Sequence, residues 1–480
     1  MSTVRRVAKN TLVWFFGDIV GKILSLAFVI YAARYLHAEG YGILSFALAF
    51  TGMFGILSDI GFYELIVREV ARDKKLINKY VENIATIKVI IVVAVYGLMC
   101  LVINLMGYPT QTIVVVYILG LSIVFDAFAM IFNATFQAFE RMEYISLGKI
   151  LKNSMLLFGA LLIISKGLGL VSFAVLYLIA SLTLLIYNII ISIRNFTRPP
   201  RLRVDLKFWR WLIKEGVTFW ATGVFAVLLN NVDKVMLSVM VGDTTVGLYS
   251  AAYRLVSTLD FIPLAFIASI FPVTSRLFVS SRQSLKFAFE RSFKYLLIVG
   301  VLIGSIFTIL SDRLIFLIYG EDYIPSANAL RVLIWSEVFL FINMVFGNLF
   351  KSINRQVVVT YAVAVATTLN VTMNWLLIPK YSFIGASLAT VLARFLIFLL
   401  FFILVMKSEY RMSNESLVNI LKVLFALLMV SAFIWVLKGT GTTDSILIAT
   451  LSLLVYALII VALRLIDSTD MQLIKGLIKS

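Results

Sequence analysis

The sequence is poor in the residues that soluble chemistry depends on. It has one cysteine, Cys100, and one histidine, His37. A lone cysteine excludes a disulfide framework and a thiolate metal site. A lone histidine leaves no cluster for metal binding or for a nucleophile–base triad. Charge is scarce too: 14% of the 480 residues are Asp, Glu, Lys or Arg, where a soluble domain carries about 25%. There is no G-x-x-x-x-G-K-[ST] phosphate loop and no nucleophile elbow, so neither an internal ATPase nor a serine hydrolase is encoded.

Apolar residues fill the space left by these absences. They make up 61% of the chain, and mean hydropathy is +1.01. A soluble globule of this size cannot hide that much apolar surface. We read fourteen apolar stretches, from Thr11–Ala33 to Ser445–Leu463, each near the roughly 20 residues needed to cross a bilayer. Thr11–Ala33 is too long for a signal-peptide core and reads as a retained helix. The expected fold is an all-α polytopic membrane protein with no room for a folded extramembrane domain. Acid/base catalysis would have to come from side chains among the helices, so an enzyme is not expected.

The net charge of +17 points here to membrane orientation, not to nucleic acid. One alternating set of loops, with both termini, holds about 29 lysines and arginines; the other holds five, Arg34, Lys166, Arg313, Lys380 and Lys438. The excess of basic residues in one set places those loops and both ends in the cytoplasm of a plasma (inner) membrane protein. The longest basic loop, Arg198–Lys214, mixes bulky apolar and basic residues. It reads either as an interfacial helix on anionic lipid, dipping Phe208, Trp211 and Leu212 into the headgroups, or as a plain linker.

The two halves resemble each other. Gly42-Ile-Leu-Ser45 opens the second span, and Gly247-Leu-Tyr-Ser250 opens the eighth, 205 residues later. Phe132, Phe136 and Arg141 have counterparts at Phe346, Phe350 and Arg355. Six spans separate the copies, which implies two parallel six-helix repeats plus two extra C-terminal helices. The corresponding division is an N-lobe over 1–197, a basic amphipathic linker over 198–215, a C-lobe over 216–410, and 411–480 for the last two spans and the tail. Transporters place substrate between such repeats and rock one against the other.

Charges within apolar spans are costly and usually face a bundle interior or a wet cavity. Lys22, Arg254, Arg331 and Arg394 are candidates for a cationic cavity holding an anionic head group, since a guanidinium suits phosphate. Arg331 and Arg394 have no obvious partner by counting along the helices. Asp18 and Lys22 are spaced to pair on one helix face, and counting puts Asp233 and Arg254 at one depth. Asp18, Asp59, Arg68, Asp126, Asp233, Asp260 and Glu337 are candidates for gating or for coupling to a proton or sodium gradient, the structural alternative being satisfied interhelical bonds. Lys88, Lys149 and Lys152 lie near helix ends and are expected to reach the headgroups. No metal or other cofactor is expected.

Several segments resemble one family. Leu57-Ser-Asp-Ile-Gly-Phe62 followed by Arg68-Glu-Val-Ala-Arg72, Asp233-Lys-Val-Met-Leu237 followed by Val246-Gly-Leu-Tyr-Ser-Ala-Ala-Tyr-Arg254, Tyr319-Gly-Glu-Asp-Tyr323, Lys351-Ser-Ile-Asn-Arg355 and Ile378-Pro-Lys-Tyr-Ser-Phe-Ile-Gly-Ala386 are similar to the polysaccharide transporters. These are Wzx-type flippases of lipid-linked oligosaccharides, including O-antigen units, within the multidrug/oligosaccharidyl-lipid/polysaccharide exporter superfamily. The resemblance implies two six-helix lobes with a cationic cavity. It also implies flipping of a polyprenyl-linked sugar from the cytoplasmic to the outer leaflet. Lipid-linked oligosaccharide, membrane lipids and the pathway's glycosyltransferases or polymerase are the implied partners. Carried over by motif, Arg254, Asp233, Asp59 and Arg68 matter most. A multidrug or cation antiporter of the same superfamily, and a non-transporting scaffold of a glycan assembly complex, remain open alternatives.

Overall fold

A computed structural model describes residues 3–439 and 444–465. It holds fourteen α-helices and no strand among those residues: α1 Thr3–Gly55, α2 Phe62–Arg72, α3 Ile77–Leu105, α4 Thr110–Ala138, α5 Met142–Ser165, α6 Leu170–Asn195, α7 Leu206–Met240, α8 Asp243–Thr258, α9 Phe261–Ser280, α10 Arg282–Tyr319, α11 Ser326–Ser352, α12 Gln356–Met406, α13 Asn414–Gly439 and α14 Ser445–Ala462. Helices are what a bilayer demands, because a spanning segment must satisfy every backbone N–H and C=O internally.

Twelve continuous runs among the described residues are long and apolar enough to cross a membrane. Two of them are too long for one crossing: Phe16–Ser58 with 43 residues and Gln356–Met406 with 51. Each contains a break. His37 has φ 56° inside α1, and Ser382 has φ 53° inside α12. At the second break the chain turns back on itself, since a β-carbon on Gly385 would lie 2.5 Å from the Leu377 carbonyl oxygen. In a straight helix those residues would be about 12 Å apart. Dividing both runs at their breaks gives the fourteen crossings expected from the apolar pattern.

Some boundaries differ from that pattern. The second expected span, Tyr41–Val67, stops as helix at Gly55. Gly61, left-handed at φ 70°, then starts the separate helix α2. The eighth, Val246–Pro272, is two helices, because α8 ends at Thr258 and α9 begins at Phe261.

The turns repeat along the chain. Glu140 and Asn354, 214 residues apart, both sit at positive φ, 59° and 60°. Each closes its helix in the same way: Arg141 N–H donates to the Phe136 carbonyl at 2.8 Å, and Arg355 N–H to the Phe350 carbonyl at 2.7 Å. That pattern is a Schellman cap, which satisfies helix-end carbonyls. The short Phe–Arg matches between the halves are the sequence trace of this cap. Gly107 and Gly320 are likewise both at positive φ, 71° and 92°.

Two compact units emerge from the packing. The first is Met1–Ala251 with Asn370–Ala386; the second is Ala252–Leu369 with Ser387–Ser480. In the first, α1 packs on α5, α4 on α6, and α2 on α4. A core of Phe62, Leu65, Ile66, Tyr80, Val81, Ile84, Phe132, Phe136 and Leu212 ties α2, α3, α4 and the start of α7 together. Phe208 packs on this core and Leu212 lies within it, so neither dips outward as the basic loop suggested; only Trp211 of that trio is exposed. In the second unit α10 packs on α11 and also on α13 and α14. There Tyr456 Oη donates to the Ile298 carbonyl at 3.0 Å, and the Glu290 carboxylate accepts from Ser413.

Candidate functional site

In the first unit, α1 and α5 cross closely. A β-carbon on Gly17 would collide with Ser146, and one on Gly21 would press on the Lys149 chain at 3.2 Å. The crossing carries Lys149 to Asp18, to which its ammonium donates. Lys22, one turn along α1, stands 3.4 Å from the other oxygen of the same carboxylate. Asn153 adds a bond to the Gly21 carbonyl at 3.0 Å. Two ammonium groups therefore share one carboxylate, and both are partly open, Lys22 at 27% and Lys149 at 42% of side-chain area. The Asp18–Lys22 pairing is the one the i, i+4 spacing indicated.

Two further lysines do not behave as the end-of-helix expectation had it. Lys88 is fully buried; its ammonium donates to Asp59 at 2.7 Å and to the Ala127 carbonyl at 2.8 Å. Lys152 is held by both oxygens of Asp126 at 2.7 Å. Each was placed near its own helix end by counting, but the carboxylate that holds it comes from elsewhere in the chain: Asp59 from the connection between α1 and α2, Asp126 from α4. Arg68, the motif arginine of α2, pairs with Glu69 at 2.6 Å and with Glu215 of α7 at 3.2 Å.

Asp233 is buried. It accepts from Tyr249 at 2.6 Å and from Asn374 at 2.5 Å, and Asn374 in turn donates to Asn370 at 3.1 Å. These neutral partners were missed in sequence because asparagine and tyrosine carry no charge to flag them.

In the second unit, Arg394 is buried and bonds to Glu337 and to Ser336 Oγ, the latter at 3.2 Å. Asp260 stands in hydrogen-bonding contact with Glu337 and is also close to Arg394. One oxygen of Glu337 and one of Asp260 are buried without a hydrogen-bond donor. Arg331 instead forms an exposed pair with Asp312 and bonds Asn328 at 2.8 Å. The expectation that Arg331 and Arg394 lack partners is therefore corrected: the partners sit on α10 and α11, where counting along one helix cannot see them. Arg254 is half-buried on α8, with its carbonyl accepting from Ser257 and Thr258.

A bundle of this plan, with charges sunk among its helices, defines a polytopic membrane protein. The polysaccharide biosynthesis protein family model matches residues 7–278, and the MatE model matches 221–376. The chain belongs to the polysaccharide biosynthesis protein family. Two relatives are archaeal. The uncharacterized membrane protein MJ1068 of Methanocaldococcus jannaschii is 25% identical over 53% of this chain, a match that spans about half (51%) of that relative. The probable low-salt glycan biosynthesis flippase Agl15 of Haloferax volcanii is 19% identical over 81% of each chain. Among solved structures, the lipid II flippase MurJ in its inward closed conformation superposes with a TM-score of 0.73 at 19% identity, covering 93% of this chain and 98% of that one.

Proposed function

We propose that this chain flips a polyprenyl-(pyro)phosphate-linked oligosaccharide from the cytoplasmic to the outer leaflet of the plasma membrane by alternating access, as a transporter and not an enzyme. On this reading both termini are cytoplasmic, the lobes are 1–197 and 216–410, and the product feeds glycosyltransferases or a polymerase of the same pathway. The observation that carries the reading is the shared Asp18 carboxylate. Lys22 and Lys149 bring two positive charges to one negative charge, leaving a partly open site that is net cationic. Such a site favours a phosphate, and a cationic drug would be repelled from it. Family membership and the flippase relative support the same cargo class.

Coupling to an ion gradient belongs to this proposal. Glu337 and Asp260 place two carboxyls against the single guanidinium of Arg394. Buried Glu337 and half-buried Asp260 therefore bring two carboxyls to one cation, and like charges so close repel strongly. Balancing that excess with a proton or a sodium ion, and releasing it during the transport cycle, would tie movement to the ion gradient.

The test is reconstitution of the purified protein in vesicles with fluorescent lipid-linked oligosaccharide. Loss of cytoplasmic-leaflet fluorophore, with no efflux of cationic dyes, supports the reading. Dye efflux without flipping favours the multidrug antiporter, and neither activity favours a scaffold.

A further inference from the structure

The chain between α6 and α7 is neither buried nor wholly aqueous in character. Helix α6 closes at Asn195, and Pro199 and Pro200 keep the next residues extended. Three bonds then fasten this strap and the start of α7 to α3. Arg198 N–H donates to Asn78 Oδ1 at 3.0 Å, Arg203 N–H to Thr86 Oγ1 at 3.0 Å, and Trp209 Nε1 to Asn83 Oδ1 at 3.2 Å. Asn78 and Thr86 are eight residues apart on α3, or about 12 Å along its axis. The strap therefore runs down more than two turns of a membrane-crossing helix. Its lowest anchor, Thr86, lies about one turn before Val89 and Ile90 and two before Val93, where α3 begins to present large apolar side chains outward. A change from polar anchors to outward apolar side chains is what a boundary between headgroups and hydrocarbon calls for.

The side chains on the strap suit that boundary. Leu202, Val204 and Leu206 are 82%, 65% and 71% exposed, and Trp211 and Ile213 are exposed further on. Arg201, Lys207, Arg210 and Lys214 are exposed among them, with no ion-pair partner among the described residues. Arg203 reaches Glu82 only at 3.9 Å. The nearby carboxylates are otherwise committed: Asp205 caps α7 through the Phe208 N–H, and Glu215 holds Arg68. Alternating bare leucine or valine with bare arginine is unfavourable in water. At an anionic interface both halves of the pattern gain, as apolar side chains enter the acyl boundary and guanidinium groups meet phosphates.

We propose that residues 201–214 form a docking face for the headgroups of anionic phospholipids, with Leu202, Val204, Leu206 and Trp211 inserted and Arg201, Arg203, Lys207 and Arg210 on the phosphates. This goes beyond the transport reading and does not depend on it. The face holds the lipid and also fixes the depth of the α6–α7 connection in the membrane.

The experiment places the full-length protein in nanodiscs of phosphatidylcholine and phosphatidylglycerol, with bromine on the acyl chains of one lipid or the other. The Trp211 contribution to fluorescence is isolated by difference from Trp211→Phe. The expected result is stronger quenching of Trp211 by brominated phosphatidylglycerol than by brominated phosphatidylcholine. That preference should fall in high salt and in R201Q/R203Q/R210Q, by up to about fivefold per arginine neutralised. The salt titration of the unsubstituted protein keeps the test intact if the triple variant fails to fold. Equal quenching by the two lipids overturns the headgroup assignment. No quenching by either puts the strap in water, facing a soluble acidic partner, and also overturns it. A failure to flip lipid-linked sugar leaves all three outcomes readable.

Discussion

Gly42 of α1 and Gly247 of α8 meet at a crossing that leaves no room for a side chain on either. A β-carbon on Gly42 would overlap the Asp243 carbonyl oxygen and lie 3.0 Å from the Gly247 nitrogen; one on Gly247 would overlap the Ala38 carbonyl oxygen. The contact is reciprocal, because Asp243 stands to Gly247 as Ala38 stands to Gly42, four residues before it. The Gly–x–x–Ser segments noted in both halves thus sit where the two backbones touch. Gly42→Ala and Gly247→Ala should each cost about 1–3 kcal/mol through forced backbone displacement, read as a lowered melting temperature in detergent. Gly97→Ala, where a β-carbon meets nothing, should be nearly neutral or mildly stabilising.

Lys88 is wholly enclosed and held by Asp59. Removing one member of a buried pair strands the other charge, at a cost of about 3–5 kcal/mol. Lys88→Met and Asp59→Asn should therefore each destabilise the protein strongly. The double variant should lose clearly less than the sum of the two, and additive losses in a thermal-melt cycle would mean that the two charges do not depend on each other.

Exposed and shared charges should separate in transport. Arg331 faces Asp312 in an exposed pair, and such pairs contribute about 0–1 kcal/mol. Arg331→Gln should leave both stability and flipping within about twofold of the parent. Lys149→Gln removes half of the cationic pair at Asp18 and should cut flipping of lipid-linked oligosaccharide by about tenfold or more, the loss of one charge-assisted bond. Equal effects from the two substitutions, in vesicles with matched protein, would remove Lys149 from the cargo site.

Much of this was legible in the sequence, for identifiable reasons. Each crossing announces itself as a run of apolar residues, and the Phe136–Arg141 and Phe350–Arg355 matches carried real cap geometry. The breaks at His37 and Ser382 were legible as gaps between apolar runs, marked by Arg34 and Lys380; that each is made by a single residue at positive φ was not. Depth counted along one helix placed Lys88 near its end, yet burial depends on which neighbour approaches, and Asp59 approaches from a segment 29 residues earlier. Arg394 looked unpartnered for the same reason, since Glu337 lies 57 residues away. Phe208 and Leu212 were assigned outward from composition alone; their spacing of four residues puts them on one face, and that face is taken by the core.

Glu337 offers the sharpest test of ion coupling. If a proton is shared between Glu337 and Asp260 beside Arg394, Glu337→Gln fixes the site in its neutral condition without altering its size. Flipping driven by an imposed pH gradient should then fall to the rate seen without a gradient, while exchange at equal pH on both sides persists. Asp260→Asn should act in the same direction, since it removes the other half of the pair. Arg394→Lys keeps one cation but loses the planar fork that reaches Ser336 and Glu337 together, so it should weaken coupling while retaining some gradient response. A response to a sodium gradient with none to a pH gradient, unchanged in Glu337→Gln, would take the coupling role away from this pair.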